Sequence, residues 1–394
     1  MDVGKCESCY ELDNCSSCYN CYFCVDGYQC IDSYFLYSCY NCQNCFGCAN
    51  LRHKSYCFLN QQLLKEEYQQ KIKEINLGNR DVLKKYQEKF EKFFKNAIRK
   101  NLNVDRKNIN CLGDRLWGAK NCYLVFRTAH EIENVRYADD LIWHTKDSMD
   151  VWVVGPNISL SYEVIESYES SNLKFSFFIH NGLDLEYCLE CHNCYNCFGC
   201  IGLRNKKYHI FNKSYSEENY WKELDKIKTK ILKDKEYGEF FPLSMSLHSY
   251  NNTYAMIEFP LTKEQVLKNG WQWHDEPKIP ADLMGLELIE AKDVSQDIKD
   301  VSDNILEKAI ICEITGKPFR IIEPELEFYQ KHNLPILTKH PFQRMLEKFQ
   351  KRNPSKLWKG VCAKCGTQMH TSYTPEKQKE LNIYCESCYI KEIV

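Results

Sequence analysis

Short β-prone stretches recur at even intervals along much of the chain, and a small polar residue precedes each of them. In the middle region such stretches begin at Asn121, Asn134, Ser148, Ser159 and Asn172. Strands this short and this evenly spaced are not typical of a doubly wound sheet. They favour a parallel β-solenoid, in which each coil stacks on the preceding coil and like residues form ladders.

Many of the 24 cysteines follow a related period. Cys6, Cys18, Cys30 and Cys42 occupy every twelfth position, and Cys9, Cys21, Cys45 and Cys57 lie on a second grid of the same spacing, in which Ser33 fills the gap. We call the cysteines from Cys6 to Cys57 and from Cys188 to Cys200 the repeat cysteines. A coil of about 24 residues with two short strands fits this period. Asparagine suits the corners, because it tolerates a left-handed backbone and can bond the asparagine of the next coil.

The repeat cysteines have two alternative roles. Cysteine is small and apolar, so the thiols can fill a narrow interior as packing ladders, and this is the favoured role. Within each run, however, cysteines recur every three residues. A strand alternates its faces, so residues i and i+3 cannot both point inward without a bend. Thiols left outside would be available to zinc or to an iron–sulfur cluster, although no proline follows the runs as in the bacterial iron–sulfur pattern.

One module occurs twice. Residues 42–56 match residues 194–208 without a gap at an offset of 152 residues, as CQNCFGCANLRHKSY and CYNCFGCIGLRNKKY. Helical patterns follow at Leu64–Ile75 and from Asp81 to about Lys100 after the first copy, and from Ser216 to about Lys235 after the second. We expect these helices to cover the exposed ends of the coils.

The strongest chemical signal is a pair of CxxC motifs near the C-terminus. Cys362 and Cys365 are separated by 19 residues from Cys385 and Cys388, which is the spacing of a two-knuckle zinc ribbon. Gly366 permits the left-handed step after the first knuckle. Four thiolates complete a tetrahedral zinc site and leave no position for water, so the predicted zinc stabilises the fold and does not catalyse a reaction.

A fainter motif of the same kind precedes it. Cys312-Glu-Ile-Thr315-Gly316 resembles a knuckle whose second cysteine is replaced by threonine, and His340 is the one plausible ligand of a partner knuckle. Two ligands make a poor metal site, so we favour a ribbon shape held together by packing. A second site shared by Cys312 and His340 stays open.

A run of cations lies between the two motifs. Its members are Arg344, Lys348, Lys351, Arg352 and Lys356. Such a run can contact nucleic-acid phosphates, whereas a solvated basic helix is the simpler interpretation.

The predicted fold is mostly β with helical insertions: a parallel β-solenoid with capping helices, followed by a C-terminal zinc-ribbon domain. The expected divisions are cysteine-rich coils at 1–63, a helical insertion at 64–107, a second solenoid segment at 108–215, a capping helix at 216–237, a small α+β region with an acidic linker at 238–303, and the ribbon domain at 304–394. Within the α+β region, Thr262 and Gln265 form a capping box for a helix that Gly270 ends.

Composition narrows the class of protein. A hydrophobic content of 44% with 13% aromatic residues is typical of a globular chain, and the net charge of −2 excludes a general attraction to nucleic acid or to membranes. The N-terminus lacks the basic and apolar segments of a signal peptide, and no stretch is apolar enough to span a membrane. We therefore expect a cytoplasmic protein with no membrane partner, whose thiols stay reduced.

Three long motifs resemble a family of cysteine-rich zinc-ribbon and β-solenoid proteins that is abundant in small-genome uncultured bacteria. They are CFGCxxLRxKxY, the block from Phe240 to Trp273, and the stretch from Cys312 to the C-terminal CxxC pairs. Members often carry the label CaiB/BaiF, after a coenzyme A transferase family. The chain has neither a nucleotide-binding βαβ fingerprint nor a pattern that places a catalytic aspartate. The resemblance therefore implies the repeat architecture and zinc, and it implies no reaction.

Two functional classes follow from the sequence. The first is a non-enzymatic zinc-binding scaffold that docks a protein or nucleic-acid partner through solenoid and ribbon surfaces. The alternative is a redox protein or enzyme that depends on a metal or on the solenoid thiols. Its further candidate residues are His130, His144, His180, Asp139, Asp140 and Asp184.

Overall fold

The computed structural model describes residues 3–104, 107–128, 131–141, 143–275, 277 and 280–393. Strands make up 34% and helices 27%, so the prediction of a mostly β chain with helices is confirmed. No helix among the described residues is both long enough and apolar enough to cross a membrane.

The first part of the chain begins with short parallel strands and ends in two helices and a further strand. The strands are β1 (Val3–Gly4), β2 (Tyr10–Asp13), β3 (Cys15–Ser16), β4 (Tyr19–Val25), β5 (Ile31–Tyr37), β6 (Gln43–Ala49), β7 (Ser55–Phe58) and β8 (Gln61–Gln62). Then follow α1 (Lys65–Lys73), α2 (Arg80–Lys95) and β9 (Ile98–Lys100).

The middle of the chain contributes a 14-stranded sheet and one long helix. Its strands are β10 (Leu112–Asp114), β11 (Ala119–Lys120), β12 (Tyr123–Thr128), β13 (Ile132–Glu133), β14 (Arg136–Leu141), β15 (Thr145–Lys146), β16 (Met149–Trp152), β17 (Ile158–Ser159), β18 (Tyr162–Tyr168), β19 (Ser170–His180), β20 (Leu183–Glu186), β21 (Tyr195–Phe198), β22 (Lys207–Ile210) and β23 (Lys213–Ser214). Helix α3 (Glu217–Lys233) follows directly.

The last third of the chain alternates short strands and helices. They are α4 (Ala255–Glu258), α5 (Lys263–Lys268), β24 (Glu287–Glu290), β25 (Lys308–Ile311), β26 (Pro318–Phe319), α6 (Glu323–Lys331), α7 (Pro341–Lys351), β27 (Trp358–Val361), β28 (Gln368–Thr371), α8 (Pro375–Glu380), β29 (Asn382–Tyr384) and α9 (Glu386–Ile393). The predicted capping box of Thr262 and Gln265 opens α5.

The parallel strands pair with partners that are close in the sequence. In the first sheet each residue of a ladder pairs with the twelfth residue after it, as in the series Tyr10, Tyr22, Tyr34, Phe46 and Phe58. In the middle of the chain the partner is the thirteenth residue, as in the series Tyr123, Arg136, Met149 and Tyr162. The longer repeat with two strands, which the cysteine spacing suggested, is therefore wrong, because the strands repeat twice as often.

A left-handed residue at every third position accounts for the short repeat. From Lys5 to Leu59 every third residue has φ between 46° and 68°. In Asn14, Ser17 and Asn20 this residue directly precedes an interior cysteine, so the chain bends between one cysteine and the next. The bend is the reason that residues i and i+3 can both face inward, which a regular strand forbids. Between Val153 and Asn157 the step is four residues instead of three, and the pairing offset there is longer by one.

Side-chain bonds join successive left-handed corners, as the sequence predicts for asparagine. The side-chain amide of Asn181 donates to the side-chain oxygen of Asn193 (2.9 Å), and that of Asn193 donates to Asn205 (3.2 Å). In the first sheet Asn20 donates to Asp32 (2.7 Å). A left-handed residue other than glycine costs about 1–2 kcal/mol, and these bonds offset part of that cost.

The two copies of the module share their structure as well as their sequence. In each copy the last parallel strand turns back into a short antiparallel strand, β8 or β23, which occupies its open edge. The Asn60 side chain bonds both the amide and the carbonyl of Ala49, and Asn212 bonds Ile201 in the same way. The helix that follows each hairpin packs a tyrosine on the sheet: Tyr68 on Tyr56, and Tyr220 on Tyr208.

The C-terminal region packs against the first sheet. The Tyr22 hydroxyl lies 2.6 Å from His332 Nδ1 at the end of α6. Tyr22 also shares a buried cluster with Ile310 and Leu326. Strand β29 pairs in parallel with β9, with Ile383 opposite Arg99. These contacts hold the C-terminal CxxC motifs beside the first module.

Candidate metal centre

The first CxxC motif is a tight turn between β27 and β28. The Cys362 amide donates to the Thr367 carbonyl (2.9 Å), and the Gly366 amide donates to the Cys362 carbonyl (3.0 Å). Gly366 has φ of +74°, as the sequence predicts for the step after a knuckle. The turn directs Cys362 and Cys365 to the same side.

The second CxxC motif joins a strand to a helix. Cys385 follows β29, and Cys388 lies in the first turn of α9. The Ala363 amide donates to the Ile383 carbonyl (2.9 Å), and the Cys385 amide donates to Cys362 Sγ (3.3 Å). These two bonds bring the two motifs together.

The four thiols converge on one point. The sulfur atoms of Cys362, Cys365, Cys385 and Cys388 all lie within 4.8 Å of one another. Cys365 Sγ and Cys385 Sγ are 3.8 Å apart. No other group of three metal-ligating side chains comes this close within the described ranges. The cluster could hold a metal ion, and four soft sulfur donors suit zinc or iron.

Local bonds prepare part of the cluster for a cation. The hydrogen bond between Cys365 Sγ and the Thr367 hydroxyl (3.3 Å), with help from backbone amides, lowers the pKa of Cys365 to about 6. Burial is the largest single influence on the pKa of Cys362, and it raises that pKa. Hydrogen bonds from backbone amides, above all from the Cys385 amide, together outweigh burial, so the pKa of Cys362 is lowered. Desolvation and the neighbouring thiols raise the pKa of Cys388 to about 12. A metal ion must therefore displace at least one proton when it binds.

The repeat cysteines face the interior and bond the backbone. Cys21 Sγ donates to the carbonyls of Tyr19 and Cys30, both at 3.3 Å, and the residue is 0% exposed. Ser33 occupies a cysteine position and makes the same kind of bond, to the Ile31 carbonyl at 2.7 Å. Burial raises the pKa of Cys39. All 24 cysteines are free thiols.

Among the described residues the other predicted candidates do not converge as a group, and only Asp139 and Asp140 meet, at Arg127. Asp139 bonds Arg127 (2.7 Å) and Ser355 (2.6 Å), while His144 Nδ1 lies 2.5 Å from Glu131. His180 stacks on His192 with ring centroids 4.5 Å apart, Asp184 accepts from Asn172 (2.6 Å), and Asp140 lies 3.3 Å from Arg127. His130 lies outside the described residues. Burial, only partly opposed by Arg127, raises the pKa of Asp139 to about 6.

The cations of the predicted basic surface contact acidic and aromatic side chains of the same chain. Arg344 lies 3.6 Å from Glu325, Lys348 lies 2.7 Å from Glu11, and Lys351 lies 3.3 Å from Glu91. Arg352 lies over the Phe349 ring at 4.6 Å, and Lys356 Nζ is 5.6 Å from the Trp358 ring centroid.

Sequence reasoning missed one residue that positions the cluster. Arg52 donates to the Ser38 carbonyl (2.6 Å) and to the Tyr389 hydroxyl (3.3 Å), and it covers the Tyr40 ring at 4.0 Å. Tyr389 follows Cys388 on α9, so Arg52 ties the cluster to the first module. The signal was present, because Arg52 belongs to the LRxKxY element that occurs twice.

These features define a class: a cysteine-rich, mostly β protein with closely stacked parallel strands and a four-cysteine cluster that could hold a metal ion. No protein-family model matches the chain, and neither a curated protein nor a solved structure is similar to it.

Proposed function

We propose that this chain is a non-enzymatic, zinc-binding scaffold that docks a protein partner. One observation carries the proposal: the four-cysteine cluster is complete in itself, and outside it every cysteine is buried except the partly exposed Cys6, Cys9 and Cys111. The repeat thiols bond backbone carbonyls in the interior, and the four-cysteine cluster has the ligand number of a closed structural zinc site.

The parallel strands of the two large sheets are best understood as a β-solenoid. The length of one coil equals the distance in sequence between two paired residues. Regular offsets between strand partners, left-handed corners and interior ladders all support this architecture. Solenoids present extended faces on which partners bind. The C-terminal motifs would form a zinc ribbon that stiffens the first module.

The proposed docking surface lies on the 14-stranded sheet. Tyr123 and Tyr137 are 46% and 47% exposed, with ring centroids 5.8 Å apart. Met149 and Leu160, next to them, line an open trough together with Arg136. Neighbouring exposed apolar groups that polar side chains border can serve as protein-binding sites.

A nucleic-acid partner is the less favoured proposal. It would bind through Arg344, Lys348, Lys351, Arg352 and Lys356, and the first three of these cations already pair with an acid of the same chain.

The redox or enzyme alternative would need an accessible thiol or an open metal site. Reduced, buried thiols also support the proposal of a cytoplasmic protein.

Two measurements test the scaffold. Elemental analysis of purified protein should give one zinc per chain; iron with visible absorbance would support the redox alternative instead. A photo-crosslinking residue at Tyr137 should capture a protein partner in cells, whereas the same residue at Leu232, which is 58% exposed on α3, should not. Equal capture at both positions, or capture at neither, would contradict the proposed surface.

A further inference from the structure

We propose that residues 308–351 are a second copy of the zinc ribbon in which two of the four metal ligands are missing, and that two substitutions complete a metal site there. The proposal rests on the proposed zinc ribbon at residues 358–393, which serves as its template.

The first halves of the two segments correspond at an offset of 50 residues. Strands β25 and β26 pair Ile310 with Phe319, and β27 and β28 pair Gly360 with Met369. In the first segment the Cys312 amide donates to the Lys317 carbonyl (3.0 Å) and the Gly316 amide to the Cys312 carbonyl (2.9 Å). These are the bonds that Cys362 and Gly366 make in the cluster, and Gly316 has the same left-handed backbone, with φ of +68°.

The second halves correspond at an offset of 45 residues. The Glu313 amide donates to the Thr338 carbonyl (3.2 Å), as the Ala363 amide does to that of Ile383. Helix α7 begins one residue after His340, and α9 begins one residue after Cys385. Each helix opens with a bond to that residue's carbonyl, from the Arg344 amide (3.0 Å) or from the Tyr389 amide (2.9 Å).

The correspondence assigns the four ligand positions. Cys312, Thr315, His340 and Gln343 take the places of Cys362, Cys365, Cys385 and Cys388. Cys312 is 2% exposed, like Cys362, and the Thr315 amide points at its sulfur (3.5 Å). Threonine and glutamine do not replace thiolates on zinc, so the native set is incomplete.

Protein contacts take over the structural role of the metal. The segment packs on the first sheet through the cluster that contains Tyr22, Phe319 and Leu326. Gln343 donates to Glu347 (3.1 Å), and Lys339 holds the same carboxylate at 2.9 Å. Glu347 therefore keeps a partner when Gln343 is replaced.

The test is a gain of metal. The double variant T315C/Q343C has three thiols and one imidazole at the four positions, which is a known structural zinc set. We expect the zinc content to rise from one zinc per chain in the native protein to two in this variant, as measured by elemental analysis and by titration with a zinc indicator. The triple variant T315C/H340C/Q343C, with four thiols, should also bind two and guards against an unsuitable orientation of the imidazole.

The matched control is T315S/Q343S, which alters the same positions without thiols and should keep one zinc. Adding C312A to the double variant should return it to one. A second zinc in the native protein would contradict the incomplete set. One zinc in both folded cysteine variants would overturn the assignment of ligand positions. Failure of the template is a separate result, because the native protein would then contain no zinc.

Discussion

The Tyr389 hydroxyl lies 2.8 Å from Ser38 Oγ. The two residues are 351 positions apart in the sequence, yet this contact and the bond from Arg52 fasten α9 to the first module. The equivalent arginine of the second module, Arg204, bonds two carbonyls in the same way. One module thus uses its repeated arginine to hold the four-cysteine cluster.

Removing this contact should weaken the attachment of α9 without emptying the cluster. We expect Y389F to lower the free energy of unfolding by about 1 kcal/mol, the usual contribution of one buried hydrogen bond. R52A should cost more than R204A, because only Arg52 also bonds Tyr389. Chemical denaturation and limited proteolysis of the C-terminal segment measure both effects. Equal costs for the two arginine variants would contradict the role of Arg52.

The four-cysteine cluster should bind one zinc that its segment needs in order to fold. We expect C385S to lose about one zinc equivalent and to expose the C-terminal segment to protease, since structural zinc supplies on the order of 10 kcal/mol in such domains. C21S, which alters a repeat cysteine, should retain its zinc. Unchanged metal content in C385S would remove the zinc assignment.

The repeat cysteines should act as packing groups with weak hydrogen bonds. C21A should lower the free energy of unfolding by roughly 1 kcal/mol, because it removes buried volume and the bonds to two carbonyls. C21S should cost less, since Ser33 already makes this type of bond in a cysteine position. Denaturation followed by circular dichroism measures the order. Loss of a metal equivalent in C21A would show instead that these thiols are ligands.

The Asp139 carboxyl should make stability depend on pH. Its pKa is raised to about 6 by burial, so between about pH 4 and pH 6 the folded state holds a proton that the unfolded state releases. Stability should therefore fall as the pH rises through this window and then stay level. D139N should remove this contribution to the slope. Unfolding free energies measured at several pH values check it, and an unchanged slope would contradict the raised pKa.

Lys348 should serve the fold and not nucleic acid. Lys348 lies 2.7 Å from Glu11. K348E would place a second carboxylate beside Glu11, so we expect a loss of stability. K359E, at an exposed lysine, should have little effect. In gel-shift assays at low salt, the native protein should not retard DNA or RNA at micromolar concentration. A shift that weakens steeply with salt would restore the nucleic-acid proposal.

Several elements could be predicted from residue types and spacing alone. The helix patterns after each copy of the module correspond to α1, α2 and α3, but α2 ends at Lys95, and Ile98–Lys100, predicted as its last turn, is strand β9. The CxxC spacing identified the cysteines that converge. These features are local: a helix depends on neighbouring side chains, and a knuckle on four or five consecutive residues. The duplication at an offset of 152 residues was likewise readable without a structure.

The twelve-residue spacing of the cysteines was readable, but it did not show whether one coil spans 12 residues or about 24. The short offset between paired strands requires a left-handed backbone at every third residue, and many of those positions hold residues that seldom adopt it, such as Phe23 and Val153. Only the stacked strands and the side-chain bonds between successive corners stabilise that conformation. Both join one repeat to the next, so they do not follow from the residues within a single repeat.

The sequence by itself determined the mostly β character, the duplicated module and the identity of the four cysteines, because each is written in short-range spacing. Tertiary structure alone decided that the interior cysteines face one another's backbone, that Arg52 meets Tyr389, and that the cations from Arg344 to Lys351 lie against Glu325, Glu11 and Glu91. Contacts of this kind depend on how distant segments pack, and a charge or a thiol has no fixed role until its neighbours are in place.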